Sequence, residues 1–100
     1  MQIARVVGTV VASHKDENLE GLKLLLLQHS KPCGDSDKGF LVAGDTIGAG
    51  VGDLVLYASG SSARQTTQTK DRSIDATVMA IIDRVDENGC EVYSKLNDPH

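Results

Sequence analysis

Three glycines within five residues are the feature of this sequence best suited to holding a ligand. Gly48, Gly50 and Gly52 lie between two apolar runs, residues 40–43 and 54–58. Glycines spaced in this way occur where φ is positive or where another group approaches too closely for a Cβ. That group can be a phosphate or another piece of protein, and the spacing alone leaves both readings open.

The residues after the glycines argue against a phosphate. A dinucleotide fingerprint needs a strand before the glycines and a helix after them, whose N-terminus holds the anion. Residues 53–57 are instead rich in β-formers and about one strand long. The sequence also contains no Gly-Lys-Ser or Gly-Lys-Thr, which a P-loop requires. We therefore predict no nucleotide cofactor.

The cysteines and histidines do not have the spacing of a metal site. Cys33 and Cys90 are far apart and form no C-x-x-C pair, so they are expected to be two reduced thiols and not zinc ligands with His29. The three histidines, His14, His29 and His100, are expected on the solvated surface. The sequence thus predicts no metal.

The residues that resemble a catalytic group also have simpler interpretations. Ser61 and Ser62 lie in a polar stretch that lacks the G-x-S-x-G pattern of a nucleophile elbow. Asp45 and Asp83 each end an apolar run, where a carboxylate usually accepts hydrogen bonds from backbone amides of the following turn. We predict no catalytic residues and no enzyme activity.

Composition limits the possible partners. The chain has 100 residues, enough for one domain, and a net charge of −4 with its ten Lys and Arg residues scattered. A nucleic-acid-binding surface needs a basic patch, so nucleic acid is not an expected partner. The apolar runs, such as residues 24–27 and 78–82, are far too short to cross a membrane. We expect a soluble cytoplasmic protein with no membrane partner.

The elements that position these residues are predicted to be β-strands. Alternating or β-branched apolar runs predict strands at residues 2–13, 22–28, 40–46, 54–58, 77–85 and 90–93, with a loop at residues 31–39. Gly8 is expected at a bulge, and Asn88-Gly89 is typical of a hairpin turn. Five or six short strands with little helix predict an all-β barrel or sandwich.

The motifs of this chain together resemble those of one family. Residues 6–12 read Val-Val-Gly-Thr-Val-Val-Ala, residues 42–52 read Val-Ala-Gly-Asp-Thr-Ile-Gly-Ala-Gly-Val-Gly, and residues 60–64 read Gly-Ser-Ser-Ala-Arg. At this spacing they resemble the EutN/CcmL family, the vertex proteins of bacterial microcompartment shells. The resemblance covers residues 1 to about 85. Ser13, Gly44 and Tyr57 depart from the family's usual residues, all outside the glycine core.

The resemblance implies a small OB-like β-barrel that assembles as a ring. Residues 1–86 would form the barrel domain and residues 87–100 a C-terminal hairpin strand and tail. Five copies would cap each vertex of a polyhedral shell, as a homopentamer beside the hexameric proteins of the same microcompartment. The alternative for an OB-like barrel is binding of single-stranded nucleic acid, which the three aromatic residues and the negative charge disfavour.

The resemblance also implies which residues serve assembly. The loop at the five-fold axis would line a narrow pore with Gly60, Ser61 and Ser62. The residues at or near subunit contacts would be Asp45, Gly48, Gly50, Gly52 and Arg64. The last strand, residues 90–93, would add to the sheet edge of a neighbouring subunit.

Overall fold

A computed structural model describes residues 1–13, 17–19, 21–60 and 75–100 of the chain. Ser61, Ser62 and Arg64 lie outside the described residues. The described part is almost entirely β, with two short 3-10 turns at Glu17–Leu19 and Lys95–Asn97. Its strands are β1 (Gln2–Val10), β2 (Lys23–Ser30), β3 (Ser36–Asp45), β4 (Leu54–Ser59), β5 (Ala76–Ile81), β6 (Arg84–Glu87) and β7 (Cys90–Ser94).

Five of these strands close into a barrel in the order β1-β2-β3-β5-β4. Closure occurs because β1 pairs with β2 along one edge and with β4 along the other, both antiparallel. The pair β3–β5 is parallel and short, whereas β2–β3 and β4–β5 are antiparallel. This is the arrangement of an OB-like barrel, so the predicted fold class is confirmed. The strands β6 and β7 form a separate hairpin.

Two local predictions about strand limits were wrong. Residues 77–85 do not form one strand, because β5 ends at Ile81 and β6 begins at Arg84. Between them the Ile82 amide donates to the Leu54 carbonyl at 2.8 Å, and the chain then leaves the barrel to form the hairpin. The predicted loop at residues 31–39 is also too long, since β3 already begins at Ser36. Its polar first residues pair with β2, as in the pair Ser30–Ser36.

The glycine and turn predictions for β1 and the hairpin are confirmed. The register of β1 against β2 shifts between Val6 and Gly8, which is a β-bulge. In the hairpin, Asn88 and Gly89 have φ values of 53° and 78°. Two positive φ values are what a two-residue type I′ turn requires, and Asn-Gly supplies them at little steric cost.

The interior of the barrel is aliphatic, as the scarcity of aromatic residues predicts. Its largest fully buried apolar side chains are Leu25, Leu27, Val6, Val55 and Val78. A second, smaller cluster lies between the barrel's outer surface and the hairpin. It comprises Leu54, Ile82 and Tyr93, with Ile3, Leu56 and Val85 packed against them. The hairpin is therefore held on the barrel by an apolar contact of its own.

No helix in the described part of the chain is long and apolar enough to cross a membrane.

Candidate functional site

The glycine segment, residues 46–53, connects β3 to β4 and is held by a carboxylate at each end. Asp45 is 7% exposed, and its Oδ1 accepts a hydrogen bond from the Ile47 amide at 3.2 Å. Asp53 Oδ2 accepts one from the Gly50 amide at 2.9 Å. The prediction that Asp45 accepts a hydrogen bond from a backbone amide of the following turn is thus confirmed. The Asp45 carboxylate helps to hold the conformation of the glycine segment.

Lysine and alanine side chains fix this segment to the barrel. Lys23 Nζ donates to the Ala49 carbonyl at 3.1 Å and lies 3.7 Å from Asp45 Oδ2. The methyl group of Ala49 is fully buried among the core side chains. Between these anchors Ile47 and Val51 are 43% and 65% exposed, so the segment presents apolar side chains outward.

The three glycines are required for different reasons. Gly48 and Gly52 have φ values of 82° and 98°, in the region that favours glycine. A Cβ on Gly52 would also lie 3.2 Å from the backbone carbon of His100. Gly50 has neither constraint, because a Cβ there would meet only Asp53 Oδ2, at 3.9 Å. The expectation that another group leaves no room for a Cβ is therefore wrong for Gly50 and correct for Gly52, where the approaching group is the chain's own backbone.

Arg5 joins four parts of the chain at one point on the barrel surface. Its Nη1 donates to the Gly52 carbonyl at 3.0 Å and to Asp98 Oδ2 at 2.5 Å. Its Nη2 donates to the Gly34 carbonyl at 2.9 Å, and the guanidinium carbon lies 6.0 Å from the ring centroid of Tyr93. The side chains of Arg5 and Asp98 are 9% and 7% exposed. A buried guanidinium with this many acceptors is a structural centre of the molecule.

Asp98 is the main acceptor of this network. It lies in residues 95–100, which we define as the C-terminal clasp. Its Oδ2 also accepts from the Tyr93 hydroxyl at 2.7 Å, and its Oδ1 accepts from the His100 amide at 3.1 Å. Burial alone would raise the pKa of the Asp98 carboxyl. Hydrogen bonds from Arg5, His100 and Tyr93 outweigh burial and hold that pKa well below its ordinary value. Asp98 is therefore an ionised carboxylate within the clasp, surrounded by hydrogen-bond donors.

Sequence reasoning missed this network, although it left a signal. Arg5 is the one charged residue within β1, in the apolar context Ile3-Ala4-Arg5-Val6. A charge at such a position is buried only when it is paired. Its partner Asp98 is 93 residues away in sequence, so no local pattern identifies it.

The prediction of solvated surface histidines was wrong for His29. This residue is half-buried in β2, and its Nδ1 lies 3.0 Å from the Tyr57 hydroxyl, which donates to Gln2 Oε1 at 2.7 Å. His100 is 53% exposed in its side chain, but its Nδ1 lies 2.8 Å from Asp98 Oδ1. His14 lies outside the described residues. Cys33 and Cys90 are free and exposed.

Gly60, the described member of the predicted pore loop, lies far from the glycine segment. Its φ is 64°, and its amide donates to the Asp75 carbonyl at 2.8 Å. The glycine segment precedes the six-residue strand β4, whereas Gly60 follows it. The two regions therefore lie at opposite ends of that strand, about 20 Å apart. The structure groups the predicted contact residues Asp45, Gly48, Gly50 and Gly52 and separates them from Gly60.

One part of the barrel's outer surface is apolar and exposed. We define it as the open face, made of Val7 in the β1 bulge, Leu26 in β2, and Phe40 and Val42 in β3. Phe40 is 62% exposed, Val42 45% and Val7 36%, and Leu26 is half-buried. Leu26 and Val42 are direct partners in the β2–β3 register, as are Gln28 and Phe40. Apolar residues at both Phe40 and Val42, on alternate positions of one strand, were the sequence signal for this surface.

Comparison with known proteins gives the same result for sequence and structure. Residues 1–83 match the model of a family described as ethanolamine utilisation protein EutN/carboxysome. The chain is 45% identical over 98 residues to the carboxysome shell vertex protein CcmL of Synechocystis, covering 98% of each chain.

The solved structures that resemble this chain extend over the barrel and the hairpin. Gloeobacter violaceus CcmL superposes with a TM-score of 0.92 at 43% identity, over 97% of this chain and 100% of that one. GrpN from Rhodospirillum rubrum, a pentameric microcompartment shell protein, gives a TM-score of 0.80 at 40% identity, over 87% of this chain and 99% of that one. At 43% and 40% identity, both structures support a comparison of function as well as of fold.

Proposed function

The chain belongs to the EutN/CcmL family, and on that premise we propose that it is a structural protein whose pentamers cap the vertices of a bacterial microcompartment shell. The observation that carries this proposal is the extent of the likeness. Relatives named as shell vertex proteins match nearly the full length of both chains, in sequence and in structure. The chain is accordingly a shell component and not an enzyme.

The proposed role has a geometric basis. Six-fold tiles pack into a flat layer, and a closed polyhedral shell needs five-fold units at its corners. A ring of identical copies uses a heterologous contact, in which each subunit presents two different surfaces to its two neighbours. A small rigid barrel is suited to this, because its surfaces keep a fixed angle to each other. We infer that hexameric proteins of the same shell contact the outside of this ring.

The residues proposed for assembly follow from the resemblance and are supported by the described geometry. Gly60, with Ser61 and Ser62, is proposed to line the pore at the five-fold axis. The glycine segment, shaped by Asp45, Gly48, Gly50 and Gly52, is proposed to lie at or near a subunit contact, and so is Arg64. The exposed side chains of Ile47 and Val51 support this, since they leave apolar area on the segment. Residues 1–86 are proposed as the vertex domain, which comprises the barrel and most of the first hairpin strand, and residues 87–100 as the second hairpin strand and tail.

Single-stranded nucleic-acid binding is disfavoured as a second function. The barrel is shared with proteins that bind nucleic acid, but shared fold does not imply shared function. A net charge of −4 opposes contact with phosphates, and binding of single strands relies on basic grooves with stacking aromatic residues.

The proposed function is tested by the mass of the assembly. Native mass spectrometry and sedimentation velocity of the purified chain are expected to give a five-subunit species. A monomer that persists at all salt and protein concentrations would overturn the proposal. Ser61→Ala is expected to leave the five-subunit species intact, because a hydroxyl that lines a pore is not needed for packing between subunits.

A further inference from the structure

Among the described residues, only one side of the barrel's outer surface is covered by the chain itself. Over β1 and β4 the side chains of Ile3, Leu54 and Leu56 lie under the hairpin and contact its cluster. Over β2 and β3 the open face has no such cover among the described residues, and Phe40 is 62% exposed. Large exposed side chains grouped on one surface are typical of a site that binds another protein.

The register of the strands makes the open face continuous. Gly8 of β1, Leu26 of β2 and Val42 of β3 are paired in one row across three strands. Phe40 lies on the same surface, two residues before Val42 on β3, since alternate residues of a strand point to the same side. The open face is thus a single patch on regular strands, which hold its side chains in fixed positions.

The proposed ring makes a second copy of the chain the occupant, because each subunit in a ring of identical copies needs two contact surfaces. Each chain carries a net charge of −4, so two copies repel each other at most orientations. The four members of the open face have no ionisable group. Two like-charged subunits therefore come together at the lowest electrostatic cost where an uncharged apolar surface is buried, which also contributes the hydrophobic free energy of contact.

We propose that the open face is one of the two subunit contact surfaces of the ring and is covered by the next copy of this chain. The inference rests on the proposed function, because it assigns a surface to that ring. The covered side of the barrel is already occupied by the hairpin, so in the described part of the chain the open face is the apolar part of the barrel wall that remains for a neighbour. Phe40, the largest exposed side chain of the patch, is the anchor of this contact.

The first test replaces the apolar side chains of the open face with charges. The double variant Phe40→Lys, Val42→Lys is expected to lower the fraction of five-subunit species about tenfold or more in native mass spectrometry. Leu96→Lys is the matched control, because Leu96 is 96% exposed in the clasp and outside the open face. That control is expected to keep the ring. A double variant that assembles like the wild type would overturn the inference.

A second measurement remains decisive if the double variant does not fold. In a chain with Cys33→Ser and Cys90→Ser, single thiols are introduced by Val42→Cys and, as the control, Leu96→Cys. In the isolated subunit these two positions are 45% and 96% exposed, a twofold difference. In the purified ring we expect the thiol at position 42 to react at least about tenfold more slowly than the thiol at position 96, because burial at a contact excludes the reagent.

The outcomes separate this inference from the proposed function. A ring in which the thiol at position 42 reacts within about twofold of the control would overturn the open-face assignment and leave the ring intact. Absence of any five-subunit species in the wild type would overturn the proposed function itself. No hexameric shell protein is present in either measurement, so protection of position 42 that appears only in the ring comes from another copy of the chain.

Discussion

Over β1 and β4 the hairpin covers the outer surface of the barrel, whereas over β2 and β3 Phe40 and Val42 are exposed. The covered side has its own apolar cluster and the Arg5–Asp98 pair, both within one chain. The open face has similar apolar side chains without such partners in the described part. The difference is consistent with the proposal that one side of the barrel stabilises the subunit and the other serves assembly. Substitutions on the two sides should therefore act on different quantities.

The largest expected effect is on the covered side, for Leu54→Ala. Leu54 is 1% exposed and central to the cluster under the hairpin. Removing a fully buried leucine side chain is expected to lower the free energy of unfolding by about 2–5 kcal/mol. Urea unfolding at matched protein concentration measures this, since assembly itself adds a concentration-dependent stabilisation.

The matched substitution on the open face sharpens the comparison. Val42→Ala is expected to change the stability of the isolated subunit by less than about 0.5 kcal/mol, because the side chain is already 45% exposed. The measurement is made at dilutions where rings dissociate. Equal losses for Leu54→Ala and Val42→Ala would show that the two sides do not differ in the way proposed.

The next effect is loss of the Asp98 carboxylate. Asp98→Ala leaves the buried Arg5 guanidinium without its charged partner and is expected to cost about 2–3 kcal/mol of stability. The control is Asp86→Ala, which breaks the ion pair with Arg84 on the hairpin. There the Arg84 side chain is 62% exposed and the Asp86 side chain 45% exposed. That loss should stay below about 0.5 kcal/mol. A cost for Asp98→Ala no larger than the control would contradict a structural role for the clasp.

The same carboxylate makes stability depend on pH in a defined direction. The pKa of Asp98 is lower in the folded chain than in the unfolded chain, where it is about 3.9. Its contribution is therefore fully present above that unfolded pKa and is lost as the pH falls below it toward the folded value. Thermal unfolding between pH 5 and pH 2 is expected to show a steeper loss for the wild type than for Asp98→Asn. Parallel curves would contradict the assignment.

Much of the fold could be predicted from the sequence, because its patterns are local. The β-branched runs identified the barrel strands, and Asn88-Gly89 identified the hairpin turn, since each depends only on neighbouring residues. The break at Ile82 was missed because Ile82 continues the apolar run of β5, although Asp83 and Arg84 follow it. Ile82 lies outside the barrel but is only 8% exposed, because it is buried in the second cluster. An apolar residue is therefore favoured at this position, just as it is in a barrel strand.

The candidate site was less accessible to sequence reasoning, for a related reason. The glycine segment is local, so its position between two strands was predictable. The Arg5–Asp98 pair and the open face depend on residues far apart in the chain that the barrel topology brings together. The distinction between Gly50 and Gly52 likewise depends on His100, which lies nearly fifty residues further along the chain.

Gly52→Ala tests whether the positive φ and the nearby backbone of the clasp together require glycine at this position. An alanine there combines a φ of 98° with a Cβ only 3.2 Å from the backbone of His100, so we expect a loss of about 1–3 kcal/mol. Gly50→Ala is the control, since its Cβ meets ordinary contact space, and its effect on the isolated subunit should be within about 0.5 kcal/mol. If Gly50→Ala were the more damaging of the two, the contact between clasp and segment would not explain the glycines.

Among the substitutions expected to destabilise the covered side, Tyr93→Phe has the smallest effect, and it separates the two kinds of interaction there. It removes the hydroxyl that donates to Asp98 at 2.7 Å and keeps the ring in the cluster with Leu54 and Ile82. The expected cost is about 1 kcal/mol, the usual net value of one hydrogen bond. If apolar burial holds the hairpin, this loss must be well below that of Leu54→Ala in the same urea measurement. A loss as large as that of Leu54→Ala would mean that the polar network, and not the apolar cluster, keeps that side of the barrel covered.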